Sequence, residues 1–315
     1  MEADDNGRMS EPTPLRGIAA LAHWGVIRAE GADAAAFLQG QLTNDVASLD
    51  ARQACLAGYC SPKGRLLASF VVWRGGAGEF YLACSADLLA PTLKRLSMYV
   101  LRARCKLADA SEGLQLVGVA GDAALVAGPA PWSRAQQGAA VLIRLPDAEG
   151  VPRALWIAAR DEERPTLPTL DAGTWHWLEV CSGVPMIVAG TADRFVPQML
   201  NFDLLKGVDF QKGCYPGQEI VARSQYRGTI KRRSFLFDTP AEPRPGDEVF
   251  HSADPGQPCG MVVDAATAPG GGISTALVEV KLAALGGGSI HLGAPDGPVL
   301  VRRPMPYAVP LDEAV

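Results

Sequence analysis

Short apolar runs alternate with amphipathic stretches along most of the chain, and the spacing of apolar positions predicts which segments become strands and which helices. Ala34, Phe37, Leu38 and Leu42 share one helical face between Asp33 and Leu42. Leu66 to Trp73 and Phe80 to Ser85 read as two strands joined by a turn at Gly75, Gly76 and Gly78. Leu88, Leu89, Leu93, Leu96 and Val100 then recur at three- and four-residue steps. That predicts a helix, with Pro91 near its first turn, where a missing N–H costs little. Further strands are expected at Leu114 to Val119, Ala140 to Leu145 and Ala154 to Ala158, and a helix over Thr174 to Val180.

From about Ser234 the apolar runs shorten: Ser234 to Phe237, Glu248 to Phe250, Met261 to Val263, Thr275 to Val280 and Val299 to Arg302, separated by Pro/Gly clusters. This texture predicts a small β-barrel or sandwich after a larger α+β region. The expected divisions are a tail at 1–14, an α+β region at 15–232 and a β-barrel at 233–315. Gly270 to Gly272 and Gly286 to Gly288 lack the strand, helix, Lys and Ser/Thr of a phosphate-binding loop and read as turns.

At 315 residues the chain has room for two or three domains, and its 48% apolar content is that of a globular protein. A net charge of −5 disfavours indiscriminate binding to nucleic acid or acidic membranes. The longest apolar stretch, Leu66 to Trp73, is far short of the roughly 18–20 residues of a membrane span. The first thirty residues carry Glu2, Asp4 and Asp5 and do not read as a secretory signal. Seven cysteines without a CxxC pair fit a reducing compartment, so a cytoplasmic location is expected. The four histidines (His23, His176, His251, His291) show no ligand spacing; no metal site and no catalytic role for them are expected.

The segment richest in chemistry is Lys212, Gly213, Cys214, Tyr215, Pro216, Gly217, Gln218 and Glu219, running on to Gly228. Pro216 and Gly228 are expected to bracket a short helix, with Glu219 and Arg223 as an i,i+4 ion pair. Cys214 would then precede the helix N-terminus with Lys212 nearby, a setting that favours thiolate. A thiol so placed suits a nucleophile, a redox centre or a metal ligand; as a free cysteine it also suits a small packed hydrophobe. The other six cysteines lie in or beside apolar runs and are expected to pack. Arg223, Arg227, Lys231, Arg232 and Arg233 form the most basic window of the chain. It suits a phosphate backbone, the carboxylate tail of a small ligand, or a solvated face.

The run KGCYPGQEIVARSQYRGTIKRR (Lys212 to Arg233), with RFVPQMLNFDLLKGVDFQ before it, resembles the signature of the YgfZ family of folate-binding proteins, relatives of the glycine-cleavage T-protein, an aminomethyltransferase. The likeness extends to GADAAAFLQGQLTNDV (Gly31 to Val46), SPKGRLLASF (Ser61 to Phe70) and LSMYVLRARCKLAD (Leu96 to Asp109). It implies a T-protein-like three-lobed ring, two α+β lobes plus a C-terminal β-barrel, around a folate-sized cavity.

The resemblance also implies tetrahydrofolate or a derivative as cofactor. The implied function is an accessory role in iron–sulfur cluster assembly or repair that indirectly supports tRNA thiomethylation. Iron–sulfur proteins or assembly factors, and tRNA-modifying enzymes, are the implied partners. Cys214 takes the functional thiol, with Lys212, Gly213, Tyr215, Gly217, Gln218 and Glu219 as its loop and Arg223 and Arg227 as neighbouring ligand contacts. Where T-proteins carry paired aspartates this chain has Ala68 and Ser69, so aminomethyl transfer is not expected. Where they carry a pterin-binding glutamate it has Cys181, so either Glu179, two residues earlier, substitutes after a local shift, or other groups hold the pterin. The alternatives are a folate-dependent one-carbon transferase and a tRNA-binding module using the basic stripe 223–233.

Overall fold

The structure, a computed structural model, describes residues 15–226 and 230–311; the expected tail at 1–14, Arg227 and Gly228 lie outside these. The chain begins in one lobe and then builds another. Strand β1 (Gly17–Ala20) is followed by β2 (Trp24–Glu30), α1 (Ala34–Gln39), β3 (Ala54–Cys60), β4 (Leu66–Arg74), β5 (Glu79–Ser85), α2 (Ala86–Met98) and β6 (Lys106–Asp109). All of these strands except β1 form one antiparallel sheet in the order β3-β4-β5-β2-β6.

Strand β1 pairs instead with β7 (Leu114–Ala120). The second sheet is completed by β8 (Arg134–Gln137), β9 (Ala140–Ala148) and β10 (Val151–Ala159), in the order β1-β7-β10-β9-β8. The first lobe is thus inserted between two paired strands of the second.

Helix α3 (Ala172–Cys181) joins this second sheet to the last unit. Its N-cap is Asp171, whose carboxylate accepts from the Thr174 amide at 3.0 Å. Trp175 is fully buried over β7, and only glycine fits beneath it: a Cβ on Gly118 would stand 2.5 Å from the indole ring. On another side of α3, Trp177 Nε1 donates to Thr275 Oγ1 at 3.0 Å. After α4 (Gln218–Tyr226), Thr275 and its neighbours belong to a closed six-stranded barrel. Its strands are β11 (Arg232–Thr239), β12 (Glu248–His251), β13 (Asp254–Thr267), β14 (Ser274–Lys281), β15 (Ile290–Leu292) and β16 (Val299–Arg302), ordered β11-β14-β13-β12-β15-β16.

The α+β architecture with a C-terminal barrel agrees with the sequence reading. Gly270 to Gly272 form the β13–β14 turn, all with positive φ, which explains glycine there without any ligand. Pro91 departs from expectation: it lies in the second turn of α2, so the helix lacks a main-chain bond to the Asp87 carbonyl.

Candidate functional site

The signature loop is held from both sides. Lys212 Nζ donates to the carbonyls of Gln39, Leu42 and Asn44 at 2.6, 2.6 and 3.1 Å, gathering the chain that leaves α1. The same ammonium stands 5.3 Å from the centre of the Tyr215 ring, which is buried. Gly217, at φ +80°, lies against the Ser61 to Gly64 turn so closely that a Cβ would fall 2.4 Å from the Ser61 carbonyl oxygen. Between these anchors Gly213 and Cys214 are exposed.

Two expectations for this loop are corrected. Helix α4 starts at Gln218, not at Pro216, because Gly217 adopts a left-handed conformation that a helix cannot include. Cys214 is therefore set back from the helix end, and Lys212 spends its donors on carbonyls rather than facing the thiol. The expected Glu219–Arg223 pair is present at 2.7 Å on an exposed helix face. Gln218 is partly buried at the start of α4. Arg227 lies outside the described residues. Five of the remaining cysteines are buried and Cys105 is half-buried. Burial pushes the thiols of Cys55, Cys60, Cys84 and Cys181 up to about 12.

Three cations of the basic window are paired with carboxylates. Arg233 is buried in a bidentate pair with Asp203 at 2.8 and 2.9 Å. Arg232 pairs with buried Glu279 on β14, diagonally across the β11–β14 ladder. With Arg223 bound to Glu219, three of the five cations are neutralised by carboxylates that are remote in sequence or one helical turn away. Among the described residues, Arg223, Arg232 and Arg233 do not build a continuous phosphate-binding surface.

A separate cavity of about 690 Å³ opens where the two sheets, α3 and the barrel meet. Much of its wall is apolar: Leu56, Phe70 and Val71 from the first lobe, Trp132 and Leu145 from the second, and Met186 beyond α3. Its polar end consists of His23, Trp24, Arg153, His176, Glu179 and Asp264. None of Lys212, Gly213, Cys214, Tyr215, Gly217, Gln218, Glu219 and Arg223 lines it; among the described residues, Glu179 is the one sequence-derived candidate that does.

The register of α3 explains why. Residues 172, 173, 176 and 179 follow one face of the helix into the cavity. Cys181 is turned away, toward a small groove shared with Glu149 and Arg303. Glu179 is therefore the helix carboxylate that reaches the space. Its Oε1 accepts from Trp24 Nε1 at 2.9 Å and its Oε2 is 2.7 Å from His23 Nε2. Burial raises the Glu179 pKa, but the His23 hydrogen bond and the charges of His23, His176 and Arg153 outweigh it, holding the group below the ordinary glutamate range.

One turn earlier, His176 Nε2 lies 3.0 Å from Asp264 Oδ1 of β13. Burial disfavours its charge, yet the hydrogen bond and charge of Asp264, with the charge of Glu179, push it up to about 9. Arg153, on β10, donates twice to the Pro146 carbonyl over the face of Trp175, and burial pulls it down to about 10. On the same walls Ser69, at the position of a missing aspartate, accepts from the Ile187 amide at 2.9 Å. Ala68 is fully buried.

His23, Arg153, His176 and Asp264 were absent from the sequence-derived site. The one local signal was the i,i+3 spacing of His176 and Glu179 within a helix-forming segment. Among the described residues no group of three or more His, Cys, Asp or Glu side chains is arranged to hold a metal ion, and no helix is long and apolar enough to cross a membrane.

Residues 16–126 match the GCVT N-terminal domain. Over 95% of its length the chain superposes on 87% of the glycine cleavage system aminomethyltransferase T from Bartonella henselae, with a TM-score of 0.69 and 16% identity, a likeness of fold. The tRNA-modifying protein YgfZ of Edwardsiella ictaluri is 37% identical over 243 residues, 71% of this chain and 72% of that one. That of Sodalis glossinidius is 30% identical over 310 residues, 92% of both. Identity at this level over most of both partners, on a T-protein fold, means that the chain belongs to the YgfZ family.

Proposed function

We propose that the protein binds tetrahydrofolate or a derivative in the central cavity and serves as an accessory factor in iron–sulfur cluster assembly or repair. Through iron–sulfur proteins or their assembly factors it would support tRNA modification, the role carried in the names of its relatives. The observation that carries the folate reading is the pairing of an apolar, aromatic-lined cavity with the fixed carboxylate of Glu179.

The residues fit such a group. A volume of about 690 Å³ lies within the roughly 300–1,000 Å³ of small-molecule sites. Each Glu179 oxygen accepts one protein hydrogen bond and keeps a lone pair for the amino and ring N–H donors of a pterin. Bound there, a reduced folate would supply one-carbon or redox chemistry. The chain's own part is to orient the ring with Glu179 and to exclude water with Phe70, Trp132 and Met186.

In this reading Cys214 is the reactive or cluster-handling thiol, displayed on the loop that Lys212, Tyr215 and Gly217 pin down. Gly213 is exposed beside it, and Gln218, Glu219 and Arg223 belong to the helix behind it. A one-carbon transferase is disfavoured because Ala68 and Ser69 offer no carboxylate to a charged folate intermediate. A tRNA-binding module is disfavoured by the paired state of Arg223, Arg232 and Arg233.

Calorimetric titration with tetrahydrofolate tests the ligand: saturable binding is expected, and none at millimolar ligand overturns it. In cells lacking the protein, Cys214→Ala is expected to fail to restore iron–sulfur enzyme activity while folding normally. Full restoration removes the thiol from the mechanism.

A further inference from the structure

Two carboxylate–imidazole pairs stand side by side at the polar end of the cavity: Glu179 with His23 at 2.7 Å, and Asp264 with His176 at 3.0 Å. The ring centres of the two histidines are 5.7 Å apart. In each pair the imidazole stands forward: the His23 and His176 side chains are each 38% exposed, Glu179 and Asp264 only 11% and 12%. Both pairings use Nε2, and among the described residues neither Nδ1 has a protein partner. The pairs come from separate parts of the fold, since His23 precedes β2, His176 and Glu179 share α3, and Asp264 is on the barrel strand β13.

Side by side, these groups form a mixed recognition edge. Glu179 has lone pairs left and takes N–H donors. His176, one turn away on the same helix face and also lining the cavity, holds its Nε2 against Asp264, and in its protonated form has a second N–H, at Nδ1, without a protein partner among the described residues. A heteroaromatic ring whose edge carries N–H donors followed by a carbonyl oxygen satisfies both.

We propose that His176, positioned by Asp264, donates a hydrogen bond to the ring carbonyl of the cavity's ligand beside the N–H groups read by Glu179, so that the site selects a 4-oxo pterin over its 4-amino counterpart. This rests on the folate reading above and adds the specificity-determining residue. A 4-amino group presents a donor to a donor and leaves the His176 N–H without an acceptor, and a site built to bond one group rejects the analogue lacking it. The raised protonation range of His176 keeps that donor in place at neutral pH.

The test compares tetrahydrofolate with tetrahydroaminopterin, in which an amino group replaces the ring carbonyl and the adjacent ring N–H becomes a bare nitrogen, by anaerobic calorimetry on the full chain. The wild-type protein is expected to prefer the 4-oxo ligand by about tenfold or more, the worth of one charge-assisted hydrogen bond. His176→Leu should lower the ratio several-fold, mainly by weakening tetrahydrofolate, and the preference that remains is the share of the ring N–H read by Glu179. Asp264→Asn should lower the ratio partway, and it carries the test if His176→Leu does not fold, as judged by circular dichroism.

Equal affinity of the wild-type protein for both ligands, or an unchanged ratio in these variants, overturns the inference and leaves the folate reading standing. Absence of binding by both ligands removes the folate reading and the inference with it.

Discussion

Removing one partner of the Arg233–Asp203 pair leaves a buried charge outside the cavity. The two side chains are 5% and 6% exposed and joined by two parallel bonds. Arg233 also reaches the Gln198 carbonyl at 3.2 Å. Arg233→Met leaves the Asp203 carboxylate buried without a counter-charge, a defect that costs about 3–5 kcal/mol. At about 2 °C per kcal/mol for a chain of this size, the melting temperature should fall by about 6–10 °C.

The double variant Arg233→Met/Asp203→Leu removes both charges and should recover at least half of the loss, because replacing a buried pair by apolar groups of similar size is close to neutral. Thermal unfolding followed by circular dichroism, with urea titration as a second measure, reads all three proteins. A loss below about 1 kcal/mol in the single variant, the scale of an exposed pair, would refute the assignment of Arg233 to the interior. It would return that side chain to the pool of cations available for nucleic acid.

Other expectations concern the loop, the core and pH. With Ellman's reagent under native conditions one thiol should react rapidly, and Cys214→Ser should abolish that phase; several fast thiols would contradict the burial of the others. Gly217→Ala should cost about 1–3 kcal/mol and disturb the signature loop, since a β-carbon meets main chain at Ser61 in a left-handed conformation; an unchanged urea midpoint would count against that contact. Gly118→Ala should destabilise by about 1–3 kcal/mol through overpacking against Trp175, and a neutral result would mean that α3 can shift.

His176 binds its proton more tightly folded than unfolded, so its contribution is complete below about pH 6.5 and is lost as pH rises through about 9. Asp264, Glu179 and His23 face it. His176→Gln should therefore flatten the fall in stability across that window, and parallel pH curves would refute this.

The segments with strong periodicity, such as β4, β5, α2 and the barrel strands β11 and β14, were legible in the sequence because each buries one consistent face or one continuous apolar run. Strand β3 was not, since ACLAGYC is buried at every position and shows no alternation, and Gly58 argues locally against a strand. Gly58 is required because Leu66 of β4 and Thr43 occupy the space of its side chain.

The signature loop was legible as a motif but not as a geometry. That Lys212 would serve three carbonyls across a separation of about 170 residues is a tertiary fact. The cavity edge was hidden for the same reason: 153 positions separate His23 from His176, and only the insertion of one lobe into the other's sheet brings them together. The basic window misled because a local charge count cannot see Asp203, from the segment before α4, and Glu279, from barrel strand β14.

The insertion that places the first lobe between β1 and β7 has a mechanical corollary. No lobe owns the cavity, so a molecule lodged in it would act as a rivet through three bodies, and its binding energy would appear as resistance to their separation. Occupancy should therefore be readable far from the chemistry, as slower proteolysis at the joints and a single sharper melting transition in place of loosely linked ones.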